Sequence, residues 1–478
     1  MKKRFLFAAF LNLFLLGCSG KFLDLAPVSE ASTANFYQTA SDFNNALASA
    51  YASLQLNGQY GQYYAVSEIP SDDSRPVLSG SVIDQDEFDK FYLRSTNPYL
   101  NTRWADGYKG IYRTNVILSR IDAISMNADL KKQYIGESKF LRALMYFNLV
   151  RIFGDVPLIL EEIVDTEDGY RYNRTPAAEV YAQIIKDLGE AELALPATYT
   201  SSDLGRATRG AAQALLGNVY LTQHRYAEAA SKLKLVVDSG IYALLPKYAD
   251  VFSPANKNGK ESVFEVQYKK GLSPLKGNGL GSTYAPANSG NSVIQFGGDG
   301  NNEPTADMVQ AYEPGDNRKD VSLGTFYINS IGQRIDQNFI RKYDDAPTVK
   351  YDSDDNFPVL RYADVLLMYA EALNEAGNVP DALTLLNMVR ARAGISNKQI
   401  SSKEDMRLAL EQERRVELAF EGHRWFDLVR TGRALPILNA KASAIGITTK
   451  LTEKNLVFPV PQSQIDINPA LIKQNEGY

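Results

Sequence analysis

The chain has 478 residues, 45% hydrophobic and 22% charged, with a formal net charge of −5. That length and apolar content can bury a sizeable core, and the mildly acidic balance excludes an electrostatic affinity for nucleic acid. One cysteine excludes an internal disulfide framework, and two histidines, His224 and His423, leave no His-rich metal site and little material for a Ser-His triad.

Residues 1–17 have a basic start and an apolar run from Phe5 to Leu16, too short to span a bilayer at ~18 residues, ending in Leu15-Leu16-Gly17-Cys18. This is the pattern of a cleaved leader, and LLGC resembles a bacterial lipobox in which Cys18 becomes the lipidated N-terminus. Removing Lys2, Lys3 and Arg4 takes the formal charge to about −8. In FLDLAPVSEAS (22–32), Pro27 argues against helix. Phe36, Phe43, Ala46, Leu47, Ala50, Tyr51 and Leu54 then form a helical stripe, with Ser41 or Asp42 near its start.

From 67 to 101 the periodicity is lost. SDDSRP, GSVIDQDEFD and LRSTNPYLN read as an irregular, surface-lying region. Asp72, Asp73, Arg75, Tyr92, Asn97 and Tyr99 combine aromatic faces with groups that hydrogen-bond neighbouring hydroxyls, the mixture that binds sugars, so this is a first candidate ligand wall. A solvated loop with Asp72-Asp73 in a turn is the plain alternative.

Helical spacing returns with Trp104, Tyr108, Ile111, Tyr112, Asn115 and Leu118, in a helix that ends near Gly154 ahead of Pro157, and in Val180, Ile184, Leu188, Ala191 and Leu195. Leu216-Gly217 with Tyr220 and Ala229 matches the L-G-x-x-Y…A pattern of a tetratricopeptide repeat, with Gln213 where that repeat prefers Trp. Such repeats stack by burying each other's faces.

The segment 252–357 differs again. Glu261–Tyr268 (ESVFEVQY) predicts a short strand, after which glycines alternate with Asn and Ser. No Gly-Lys-Ser/Thr is present, so a nucleotide loop is not indicated. A long insertion of this kind is a second candidate ligand wall, with Tyr284, Asn288, Asn291, Gln295 and Phe296 as contacts. The run Asp352, Asp354, Asp355 reads as a solvated acidic turn, with Ca²⁺ binding as the sharper alternative.

Tyr362, Val365, Leu366, Tyr369, Ala370 and Leu373 form a buried stripe that stops at Gly377. Asn378 then caps a second helix with Pro380 in its first turn and Gly394 as its left-handed terminator. A further helix begins at Ser401 or Ser402, with Ser401 and Glu404 at capping-box spacing, and turns Glu413 and Glu417 toward the core. Buried acids need partners, and Arg414, Arg415, Arg424 and Arg430 are the nearest guanidinium groups. The alternative, an acid and base pair for hydrolysis, needs a cleft that the pattern does not supply.

RYADVLLMYAEALNEAG (361–377), ALTLLNMVRARAG (382–394) and ERRVELAFEGHRWFDLVRTG (413–432) closely resemble the C-terminal half of the SusD/RagB family of surface glycan-binding lipoproteins of Bacteroidetes nutrient uptake. WADGYKGIYRTN (104–115), GESKFLRALMYFNLVRIFGDVPL (136–158), Tyr312, Asp316 and Arg318, Arg341-Lys342-Tyr343 and VFPVPQSQIDINPALIKQNEGY (457–478) extend the resemblance over nearly the whole mature chain.

The resemblance implies a mainly α fold of tetratricopeptide-like helical hairpins forming a scaffold, with a loop-rich region and few short strands. It implies a signal peptide over 1–17 and a single domain over 18–478. The scaffold is expected at roughly 33–66, 102–250 and 358–432, and the ligand-facing loops at roughly 67–101 and 252–357. The expected function is capture of an oligosaccharide, without catalysis, cofactor or metal, and its transfer to a SusC-like TonB-dependent transporter in the outer membrane, where Cys18 anchors the protein at the cell surface. The alternatives are a surface glycoside hydrolase using Glu413 and Glu417 or Asp72 and Asp73, a binder of another nutrient such as peptide, and a scaffold for protein partners alone.

Overall fold

The computed structural model describes residues 36–77 and 83–478; the leader, Cys18 and the 22–32 stretch lie outside the described residues. Twelve helices carry the argument: α1 (Ala40–Ala52), α2 (Ile83–Lys90), α3 (Pro98–Arg120), α4 (Ala128–Phe153), α5 (Ala177–Ala194), α6 (Arg209–Thr222), α7 (Tyr226–Asp238), α8 (Tyr362–Glu375), α9 (Val379–Arg392), α10 (Lys403–Glu417), α11 (Arg424–Arg430) and α12 (Ala434–Ile445). The fold is mainly α, as the sequence implies.

Local chemistry sets the boundaries. Thr39 starts α1 by accepting from the Asp42 N–H while the Asp42 carboxylate accepts from the Thr39 N–H, a reciprocal cap. Asn97 accepts from the Tyr99 N–H ahead of Pro98 at the start of α3, and Asn378 caps α9 ahead of Pro380. The cap of α10 is Ser402, which accepts from the Asp405 N–H, rather than the Ser401 and Glu404 pair. Gly377 and Gly394 both take positive φ, as the left-handed stops after α8 and α9 require.

From α3 to α10 each helix packs on the next in sequence along two runs, α3 to α7 and α8 to α10, and α7 packs on α8 to join them. This is the stacking expected of helical hairpins. The Leu-Gly of the repeat pattern has a steric cause: a Cβ on Gly217 would lie 2.5 Å from Leu233 Cγ, so its absence lets α6 and α7 approach closely. Ala229, the small residue beyond the turn, is fully buried.

Strands are short and pair locally. β1 (Ser74–Arg75) pairs with β3 (Glu303–Pro304), β2 (Ser262–Val266) with β6 (Phe357–Arg361), and β4 (Leu323–Ile328) with β5 (Arg334–Ile340), all antiparallel. β2 falls within the predicted strand; the β4–β5 hairpin has no counterpart in the sequence reading of 252–357.

The acids of α10 sit in a buried ion-pair lattice. Glu413 accepts from Arg318 at 2.6 Å and Arg390 at 2.8 Å, and Glu417 from Arg318 at 3.1 Å, Arg361 at 3.0 Å and Arg392 at 2.5 Å. Arg361 also binds Glu421 and Glu261, and Arg318 binds Asp316. Burial opposes charge on Glu417, yet Arg392, Arg361 and Arg318 together hold its pKa below the ordinary carboxylate range. The sequence reading named the wrong partners: Arg414 binds Asp364 and Asp427, Arg415 binds Asp73, Arg424 binds Asp72, and Arg430 binds Glu371. The two glutamates are consumed by structural pairing and face no cleft.

Removing one member of such a lattice strands the rest. Arg361→Met is expected to cost about 3–5 kcal/mol of unfolding free energy. Arg407→Met, which breaks a half-exposed pair with Glu375, should cost less than about 1 kcal/mol. Urea denaturation of both variants measures the difference.

Candidate functional site

The two loop regions, more than 200 residues apart in sequence, meet in space. The β1–β3 ladder sets Ser74 opposite Pro304 and Arg75 opposite Glu303. The Thr305 N–H donates to the Asp73 carbonyl at 2.8 Å and its hydroxyl to the Asp72 carbonyl at 2.9 Å. Gln85 on α2 donates to Asn301 at 3.3 Å and to the Tyr99 hydroxyl at 2.7 Å, and the Tyr64 ring meets Tyr284 edge-on at 5.5 Å. Backbone ladders and amide bonds therefore weld the two predicted walls into one face.

The individual predicted contacts divide into two sets. Asp72 binds Arg424 at 2.8 Å and Lys441 at 3.1 Å, and Asp73 binds Arg415 at 2.5 Å. The Arg424 guanidinium and its neighbours hold the Asp72 carboxyl well below the usual range against the cost of burial. Asn97 is fully buried, spending its carbonyl on the α3 cap and its amide on Glu87 and the Asp84 carbonyl. Tyr284 is buried in the aromatic core against Tyr64 and Tyr343. Asp72, Asp73, Asn97 and Tyr284 are thus buried and engaged within the protein: polar groups in a loop have first claim on one another when the loop folds inward. They also leave neither Asp72 nor Asp73 free as a hydrolytic acid. Tyr99 is half-buried, with its hydroxyl on Gln85.

The exposed set is Arg75, Tyr92, Asn288, Asn291, Gln295 and Phe296. Arg75 binds Glu303 across the ladder at 2.5 Å, and the Tyr92 hydroxyl donates to Asp86 at 2.8 Å. The Asn291 side chain accepts from the Phe296 N–H at 2.9 Å and fixes the turn that carries that ring. Phe296 is 45% exposed at φ 67°.

Tyr351 was missed by the sequence reading and matches Phe296, with 45% exposure and φ 69°. Its hydroxyl donates to Asp299 at 3.1 Å, three residues after Phe296, and Lys350 donates to the same carboxylate at 2.7 Å. A bulky residue in the left-handed region is strained, and two half-exposed aromatic rings held that way on linked loops mark a place where geometry takes precedence over comfort. A sequence carries no sign of positive φ at Phe or Tyr.

The glycines of this region allow close backbone approach. A Cβ on Gly298 would lie 2.0 Å from the Ala285 carbonyl oxygen, and one on Gly281 2.3 Å from that of Tyr343. The acidic run has inward partners. Asp352 accepts from the N–H groups of Gly271 and Gly277 and from the Thr348 hydroxyl, Asp354 binds Lys257 and Lys269, and Asp355 accepts from Ser353. Among the described residues no group of three or more His, Cys, Asp or Glu is arranged to hold a metal ion. The run is a hydrogen-bonded knot rather than the solvated turn expected.

Comparison with known proteins agrees with this geometry. The family model described as SusD family matches residues 329–478, and the SusD-like model described as "Starch-binding associating with outer membrane" matches residues 21–221. The chain is 27% identical to SusD-like protein P2 of Formosa agariphila over 521 aligned positions, covering 100% of both chains. It is 28% identical to a SusD-like protein of Bacteroides ovatus, covering 91% of this chain and 84% of the other. Among solved structures it resembles a laminarin-binding SusD-like protein (28% identity, TM-score 0.79, 92% of this chain and 100% of the other) and surface glycan-binding protein A of Bacteroides fluxus (26%, 0.81, 92% and 100%). The fold is shared with surface glycan-binding protein A of Bacteroides thetaiotaomicron in complex with laminarihexaose (22%, 0.80, 91% and 99%).

Beneath the welded loops lies Glu68. One of its oxygens accepts from the Gly422 N–H and the other has no hydrogen-bond partner. Burial pushes its pKa from 4.5 up to about 8, with the Gly422 bond acting against that shift. The folded value lies above the unfolded one, so the stability this acid contributes is fully present below about pH 4.5 and is lost as pH rises through about 8. Glu68→Gln, which imitates the protonated side chain, is expected to stabilise the protein at pH 8 by roughly 1–3 kcal/mol and by little at pH 4.5. Denaturation at the two pH values checks the sign.

Proposed function

We propose, from the premise that the chain belongs to the SusD/RagB family, that it captures oligosaccharide at the cell surface and passes it to a SusC-like, TonB-dependent transporter in the outer membrane. The helical array acts as a rigid support, and the loop face binds the sugar without breaking its bonds. The laminarin-binding SusD-like protein, at 28% identity, supports the ligand class.

One observation carries the reading: Phe296 and Tyr351 present two half-exposed rings from loops linked through Asp299. The face of an aromatic ring packs against the C–H surface of a pyranose, while side-chain amides such as those of Asn288, Asn291 and Gln295 fit its hydroxyls. Arg75 and the ring of Tyr92 add further exposed surface on the first wall. Such a site is open and shallow, which suits a protein that must release its cargo.

Among the described residues no helix is long and apolar enough to cross a membrane. We assign attachment to Cys18 as the lipidated residue. Three acyl chains, at ~0.8 kcal/mol per buried CH₂, hold far more firmly than a single myristoyl chain.

Calorimetric titration of the leader-free protein with a glycan panel that includes laminarihexaose should detect binding. Phe296→Ala and Tyr351→Ala should each weaken it about tenfold, equivalent to about 1.4 kcal/mol. Silence across the panel, or binding of peptides in place of sugars, would rule the ligand class out. In cells, Cys18→Ser should move the protein from the membrane fraction to the soluble one.

A further inference from the structure

A groove of about 590 Å³ runs beside the β1–β3 ladder, between α2 and α12. Its charged lining consists of Asp72, Asp86, Asp89, Glu303 and Asp307 against Arg75, Lys90 and Lys441, and with the Arg424 guanidinium paired to Asp72 from behind the formal excess is one negative charge. The bases are all committed: Arg75 to Glu303, Lys90 to Asp86, and Lys441 to both Asp72 and Asp307. Arg75 is the most exposed of the three, and each already has an acidic partner.

Two lining groups are unspent. Ser74 is 1% exposed, and its hydroxyl has no hydrogen-bond partner among the described residues. A buried hydroxyl without a partner is costly, so its presence beside the groove points to something that binds it from there. Asp89 forms no hydrogen bond or ion pair among the described residues. Burial, with the Asp86 charge adding to it, pushes its pKa up to about 7, while Lys90 and Arg75 act against that shift.

An orphan hydroxyl and an orphan carboxyl on one groove fit the hydroxyl groups of an uncharged sugar unit, to which they donate and from which they accept. The same groove disfavours a carboxylate or sulfate, which would meet the negative excess and compete with acids already seated on the lining bases. We infer that this groove extends the glycan face and reads charge, seating a neutral unit through Ser74 and Asp89 and turning anionic glycans away. The inference rests on the glycan-capture reading above and narrows its ligand to uncharged polysaccharide.

The test compares neutral gluco-hexasaccharides, laminarihexaose among them, with oligogalacturonate of equal length, titrated into the whole leader-free chain at 50 mM and 300 mM salt. The neutral ligand should bind at least tenfold more tightly at low salt, and the gap should narrow at high salt as the repulsion is screened. Ser74→Ala and Asp89→Asn should each weaken the neutral ligand threefold or more, and Asp89→Asn should also reduce the preference. Asp307→Asn changes a half-exposed side chain and offers a second route to a reduced preference should the Asp89 variant fail to fold. Uronate binding equal to or tighter than neutral binding, or a preference unmoved by both acid variants, overturns the charge reading while leaving glycan capture standing. An absence of binding to every sugar removes both.

Discussion

The structure depends on the buried pairing of α10 acids with arginines that arrive from elsewhere in the chain. Arg318 comes from the insertion between α7 and α8, Arg361 from the end of β6, and Arg390 and Arg392 from α9, and all four converge on Glu413 and Glu417. Charges taken out of water tolerate few arrangements, since each unpaired member costs several kcal/mol. The lattice thereby fixes register between the helical array and the insertion that carries the second wall. Apolar packing alone permits small slips; a multidentate guanidinium does not.

This cross-linking accounts for what sequence reasoning could and could not see. The helices of 362–394 were legible because apolar spacing, an Asn cap and two glycine stops all act within a few residues. The burial of Glu413 and Glu417 followed from the same spacing. Their partners did not, because Arg318 and Arg361 lie 95 and 56 residues away from the acids they serve, while the adjacent Arg414, Arg415, Arg424 and Arg430 turn to other carboxylates. Proximity along a chain is a poor guide to pairing once long-range packing has decided which face each residue occupies.

The same limit applies to the candidate site. Loss of periodicity marked out both loop regions, and the structure brings them together at β1–β3. Composition could not tell an inward Asp72 or Asn97 from an outward Asn291, since the hydrogen-bonding chemistry is shared and only the fold's own demand for internal partners separates them. Tyr351 escaped notice for a different reason: it stands beside an acidic run that drew the eye to cations, and its backbone strain is invisible until the loops are closed. Ser74 shows the converse. A serine between Asp73 and Arg75 suggests only a turn, and its buried, unanswered hydroxyl emerges from the tertiary structure.

The seam between the walls is sewn largely by main-chain groups: the β1–β3 ladder and the N–H of Thr305 on the Asp73 carbonyl. Such stitches are indifferent to which side chains stand on the outer surface. Mutations that alter the exposed rings and amides can accumulate without loosening the join, while the ionic lattice below keeps the frame constant. An architecture of this kind uncouples the chemistry of its outer surface from the shape of its frame.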